Sequence, residues 1–342
     1  MQEVKAKLPP PPVGIVFDSD MSRIGNVLAL ALLYGFDGRN QNRVISLSVS
    51  RPDLQAAAFC DAIRRFYSAG GFFRGLPVGF ADQSKLSGAT PPMIAQPLAL
   101  KSSDGKPAYP NDVQQLTDTA EPHALIRNAL TAQHDGNAIV LLTGPATNLV
   151  MALSLPGVKD LVTQKVRFLS VMAGAYPDGG PELHIKEDVA AAKRLFAEWP
   201  TPIIAVGQEM AGALPFPGAS VETAFAWAPA HPVVDAYRAA KPMPYDAEAP
   251  ELAAALYAVQ PDQGYFKLSD PGTITVLDNG QTSFAPSAGG RHRYLIADEA
   301  QKDRILKTYT EVISAKPVPR RPRFSSQQQE EKKEVPKPAA KP

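Results

Sequence analysis

The sequence predicts an α/β fold, a mostly parallel open sheet flanked by helices, on three observations. From residue 13 to about residue 313, short apolar runs rich in β-formers alternate with stretches of helical period. Repeated β-then-α order is what parallel strands joined by crossover helices produce. Several of the runs are apolar throughout, as strands covered on both faces must be. At 342 residues with 44% hydrophobic content, the chain also carries enough apolar surface for a substantial core.

The elements follow in order. Residues 1–12 end in four prolines and read as an extended polyproline II leader. Gly14-Ile15-Val16-Phe17 is too short for a helix and reads as a buried strand, which puts Asp18 and Asp20 at its carboxyl end, before an apolar helix pattern reaching Tyr34. Ligands bind at such strand ends in open α/β sheets. Extended backbone repeats every two residues, so the two aspartates can face one side and hold a divalent cation or a sugar hydroxyl. Helix capping or a turn is the equally available structural role. Residues 43–50 alternate at period two and 56–67 read as a helix; residues 81–122, dense in Pro, Ser, Gly and Asp, read as a long loop or lid. Residues 138–142 form a buried strand leading into a helix from Leu149, and 166–172 and 202–206 are further strands separated by a helix at 189–198. Asp278-Asn279-Gly280 between 272–275 and 282–284 predicts a hairpin. From Ser314 the chain mixes Pro, Gln and charge with almost nothing apolar, a composition that stays disordered. The expected organisation is a leader at 1–12, one domain at 13–313 and a tail at 314–342.

Thirty-five basic residues against 34 acidic ones leave a net charge of +1, so no overall field recruits nucleic acid or an anionic membrane. No segment reaches the ~20 apolar residues needed to cross a bilayer. The expected partner is a small neutral ligand or another protein. A single cysteine, Cys60, excludes an intrachain disulfide framework and a cysteine-based zinc site; its helical spacing behind Ala56-Ala57-Ala58-Phe59 predicts an ordinary buried thiol. The leader lacks an apolar signal region, which makes the cytoplasm the default expectation.

Five segments in order, FDSDM at 17–21, LLTGPATNLVMAL at 141–153, PELHI at 181–185, WPTPI at 199–203 and PYDAEAPELAAALYAV at 244–259 followed by GYFKLSDPGTITV, resemble the inosine-uridine-preferring nucleoside hydrolases from about residue 13 to 296. The resemblance implies a nucleoside hydrolase-like domain that hydrolyses the N-glycosidic bond of ribonucleosides or related N-ribosides, with a calcium ion at the strand ends. Hydrolysis at an anomeric carbon passes through an oxocarbenium-like state and needs nearby carboxylates and an activated water. By the same resemblance Asp20 is calcium ligand and general base and Asp18 its supporting neighbour. Thr143 offers its backbone carbonyl to the ion, and Glu182 holds ribose. Relatives assemble as dimers or tetramers, so a homodimer or homotetramer is expected.

The chain departs from the family pattern at several of these places. Gly25 and Asn26 stand where the family carries an Asp-Asp pair, and Glu182-Leu183-His184 stands where it carries Glu-x-Asn. The late metal aspartate aligns with Glu251, and Asp246 lies close enough to compete as a supporting acid. The implied metal set is Asp20, Asn26, Thr143 and Glu251, with Glu182, His184 and Asn26 toward the sugar. One carboxylate fewer weakens a calcium site, because affinity follows the number of charged oxygens. Two function classes follow: an N-glycosyl hydrolase of weak or altered activity, and a non-catalytic ligand-binding relative that keeps the pocket. A haloacid-dehalogenase-like phosphatase also places Asp-x-Asp after its first strand, but TGPATN followed by PELHI speaks against it.

Overall fold

A computed structural model describes residues 11–69, 76–81 and 89–318. The expected leader up to residue 10, the stretch 82–88 of the expected lid and the tail from residue 319 lie outside the described residues. Ten strands are described: β1 (Val13–Ser19), β2 (Asn42–Val49), β3 (Val78–Phe80), β4 (Ala138–Thr143), β5 (Val166–Met172), β6 (Ile203–Val206), β7 (Phe266–Leu268), β8 (Gly272–Val276), β9 (Thr282–Pro286) and β10 (His292–Ala297). They form one sheet in the order β3-β2-β1-β4-β5-β6-β10-β8-β9, with β7 beside β10. The pairs from β3 to β6, and β6 with β10, are parallel, while β8–β9, β8–β10 and β7–β10 are antiparallel.

Alternation along β1 builds the two layers. Ile15 and Phe17 enter one core with the helix Ile24–Gly38, and Val16 enters the other with β4 and β5. The helix Ile24–Gly38 is buried from Gly25 to Asp37, because the helices Pro250–Val259 and Lys302–Ile313 pack against it as well as the sheet. This explains a pattern that is apolar nearly all round. The helix Leu54–Tyr67 starts where Asp53 caps it by accepting from the backbone N–H of Gln55 and Ala56, and Cys60 is fully buried within it.

The strands at 13–19, 138–143, 166–172 and 203–206 and the helices Leu54–Tyr67 and Val189–Glu198 match their predicted positions to within two residues. The hairpin forms as β8 and β9, with Gly280 at φ +84° in its turn, a conformation glycine adopts without strain. Two expectations are corrected. The period-two alternation at 43–50 holds only for the first half of β2, because an interior parallel strand is covered on both faces. The stretch 81–122 contains the helix Pro92–Ala99, which buries Met93, Ile94 and Pro97 and packs against the helix Pro232–Ala240. Pro92 opens that helix, where a missing N–H costs nothing, and Pro97 near its end masks the period. Among the described residues no helix is long and apolar enough to cross a membrane.

Candidate functional site

Sheet order reverses at β1. The chain runs outward through β2 and β3, then returns to place β4 on the other side of β1. Such a reversal opens a crevice at the carboxyl ends of the strands. β1 and β4 end together there, with Ser19 opposite Thr143.

Asp18 is fully buried. Its Oδ2 accepts from the Ser48 hydroxyl of β2 and from Asn148 Nδ2 at 2.8 Å. Burial pushes its carboxyl up to about 7, against those two hydrogen bonds, and repulsion from Asp20 adds to the rise. Asn148 therefore spends its amide on Asp18, while Thr147 donates to Asp188 at 2.8 Å. The Gly144-Pro145 turn leads into a helix with no side-chain cap, so neither residue caps it.

Asp20 is also buried. Its Oδ1 accepts from the Ser22 backbone N–H at 3.1 Å, the turn role open to it in the sequence. Its Oδ2 accepts from Arg51 Nε at 3.3 Å and lies 3.7 Å from His184 Nε2. Arg51 bridges onward to Glu187, with which it pairs closely. Glu182 caps the helix Leu183–Glu187 by accepting from Ile185 N–H through Oε2. Its Oε1 stands 3.6 Å from His184 Nδ1 and 3.5 Å from Arg23 Nη2, buried and without a hydrogen bond among the described residues. His184 Nδ1 is 3.4 Å from the Met172 carbonyl at the end of β5, and its Nε2 is 3.4 Å from Arg23 Nη2. Because a carbonyl only accepts, the bond to Met172 puts the proton on Nδ1 and turns the Nε2 lone pair toward Arg23.

Asn26 and Glu251 complete the pocket from two helices. Asn26 Nδ2 donates to the Thr143 carbonyl at 2.7 Å and to Thr143 Oγ1 at 3.1 Å, and its Oδ1 accepts from Arg23 N–H at 3.0 Å. Glu251 is fully buried, and neither carboxylate oxygen accepts a hydrogen bond among the described residues. Burial holds its carboxyl above the ordinary glutamate range, with the Arg23 charge opposing.

The expected Asp20, Asn26, Thr143, Glu182, His184 and Glu251 thus come together beyond the carboxyl ends of β1 and β4. Their donor set as arranged does not fit a calcium ion. A hard cation needs oxygens free to point at it, yet the Thr143 carbonyl faces the Asn26 NH2 group and the Asn26 oxygen faces a backbone N–H. Among the described residues no group of three or more His, Cys, Asp or Glu side chains is disposed to hold a metal ion. Asp246 departs from its expected supporting role. It is exposed and accepts from Gly218 N–H at 2.8 Å, because the turn before the helix Pro250–Val259 points it at that loop. Sequence reasoning missed Arg23, Arg51, Glu187 and Ser48. Asn148 lies within the quoted TGPATN motif, but the other four carry no local signal.

The comparisons with known proteins bear on the family and the fold. The model of the inosine-uridine preferring nucleoside hydrolase family matches residues 15–307. Among solved structures, a plant nucleoside hydrolase superposes with a TM-score of 0.64 at 18% identity, over 89% of this chain and 100% of that one. An inosine-uridine preferring nucleoside hydrolase from Bacillus anthracis gives 0.63 at 18% identity, over 88% and 99% of the two chains. A purine-preferring ribonucleoside hydrolase from Gardnerella vaginalis gives 0.62 at 16% identity, over 88% and 98%. At these identities the likeness establishes the fold. No curated protein sequence matches this chain.

Proposed function

The chain belongs to the inosine-uridine preferring nucleoside hydrolase family, and from that premise we propose that its pocket binds an N-riboside and hydrolyses the N-glycosidic bond slowly. The observation that carries this reading is the buried constellation in which His184 stands 3.7 Å from Asp20 and 3.6 Å from Glu182, at the crevice where β1 and β4 end. Three buried polar side chains at a switch point serve no packing purpose.

In the proposed reaction Asp20 takes a proton from a water that forms the new bond to the anomeric carbon, while the bond from that carbon to the base nitrogen breaks. The departing base takes up a proton from solvent, and Asp20 returns its own to solvent. Asp20 and Glu182 offset the positive charge that develops on the sugar. Glu182 Oε1, buried and free of hydrogen bonds, is placed to accept from a ribose hydroxyl. Arg51 Nε, 3.3 Å from Asp20 Oδ2, occupies an oxygen that would otherwise be open to the water, which supports slow turnover. Assembly as a dimer or tetramer remains part of the proposal.

The second reading, a ligand-binding relative without catalysis, is favoured by the same ion pair and by the engaged Asn26 amide. Release of base from inosine, uridine and a chromogenic riboside, compared between the natural chain and Asp20→Ala, separates the two. Loss of activity in the variant supports hydrolysis; equal rates in the two proteins remove it.

A further inference from the structure

We propose that the guanidinium groups of Arg23 and Arg51 supply the positive charge of this pocket in place of a divalent cation, so that the protein folds and keeps its pocket without one. The inference takes the location of the site from the proposed function, but not its chemistry.

Charge balance gives the first reason. Asp20 and Glu182 are 1% exposed, and the Glu187 side chain is 14% exposed. Carboxylates this deep are stable only when paired or neutralised. Arg51 is shared between Asp20 and Glu187, and Arg23 stands 3.5 Å from Glu182. A guanidinium does not lose its proton and presents a planar fork of donors that suits two acceptors at once. Both arginines keep part of the side chain at the surface, 29% for Arg23 and 20% for Arg51, while their heads enter the pocket.

The oxygens give the second. Asn26 is held from both ends, since Thr143 O can only accept and Arg23 N–H can only donate. The amide orientation is thereby fixed, and turning its oxygen toward an ion breaks bonds on both sides. A divalent ion approaching Asp20 Oδ2 also meets Arg51 Nε, already 3.3 Å from that oxygen, and like charges at such range repel. Glu251 is left buried on the helix Pro250–Val259, with neither carboxylate oxygen accepting a hydrogen bond among the described residues.

The experiment is a titration of the intact chain, after treatment with a chelator, with Ca²⁺, Mg²⁺ and Mn²⁺, followed by isothermal calorimetry and by Tm. The expected result is no saturable heat and no saturable rise in Tm for any of the three ions. Saturable binding that raises Tm overturns the proposal, whether or not the protein releases base from any riboside. A double-mutant cycle provides an independent readout. Arg51→Gln lowers Tm in the natural chain, and the loss shrinks by at least half in an Asp20→Asn, Glu187→Gln background, where no charge remains for the guanidinium to balance. An equal loss in both backgrounds means that Arg51 serves packing alone and also overturns it. Should Arg51→Gln alone fail to fold while the triple variant folds, the same coupling is demonstrated; if neither folds, the ion titration decides.

Discussion

The carboxylate of Glu251 fills the space in which a side chain on Gly25 would begin. A Cβ at position 25 would run into Glu251 Oε2 and lie 2.7 Å from Glu251 Cδ and 3.2 Å from Ala249 Cα. In the family pattern an aspartate is expected at 25 and a shorter acid opposite it. Here the longer glutamate reaches across from the helix Pro250–Val259, and glycine makes room. The two positions act as one unit of volume.

Gly25→Ala is therefore expected to destabilise the protein by about 1–3 kcal/mol, the usual cost of overpacking a filled core. Glu251→Asp, one methylene shorter, should recover part of that loss when the two are combined. Urea denaturation of the two single variants and the double variant measures the coupling. Strictly additive losses would show that the two side-chain volumes are independent.

Asn26→Ala leaves the Thr143 carbonyl and the Arg23 N–H without the partners that now hold them at 2.7 and 3.0 Å. The expected cost is about 1–3 kcal/mol, that of a buried polar group left unsatisfied. Asn26→Asp at neutral pH should cost more, because it turns a carboxylate toward a carbonyl oxygen. Chemical denaturation near pH 7 ranks the two, and an aspartate variant as stable as the natural chain contradicts the arrangement.

Arg23 is the half-buried edge of the site, and its Nε is buried without a hydrogen-bond partner among the described residues. Arg23 can donate to, and Glu182 Oε1, 3.5 Å from its Nη2, can accept from, the same hydroxyl. Arg23→Gln should raise KM for a riboside by about tenfold, equivalent to about 1.4 kcal/mol of binding, and lower kcat less. Steady-state kinetics tests this, and an unchanged KM with reduced kcat would move Arg23 from sugar binding to the chemical step.

Acid stability should depend on His231, which lies away from the site. Its ring packs against Phe66 and Phe225 at centroid separations of 4.5 and 4.8 Å, and its Nδ1 accepts from Val233 N–H at 3.3 Å. Burial pushes the imidazolium down to about 3, from 6.5. The unfolded chain thus binds a proton that the folded one refuses. The contribution is complete above pH 6.5 and disappears as pH falls toward 3, with a slope of up to about 1.4 kcal/mol per pH unit. His231→Asn keeps a capping side chain and should give a flatter stability curve between pH 6 and 4, even if it is less stable at pH 8. Equal slopes in denaturation series across that window would dismiss the histidine as the source.

Most of the strands and helices and the hairpin were legible in the sequence because their signals are local: the apolar run before Asp18, the helical period over 56–67, the turn at Asp278-Asn279-Gly280. So was the set of polar positions around Asp20, through motifs whose order matches a family. Tertiary structure alone decided what those side chains do. Asn26 meets Thr143 across 117 residues of sequence, Arg51 meets Glu187 across 136 and Arg23 meets His184 across 161. No period or spacing encodes such encounters. They arise where β1, β4 and β5 end side by side, so the partner of each buried charge is set by sheet order and not by neighbours along the chain.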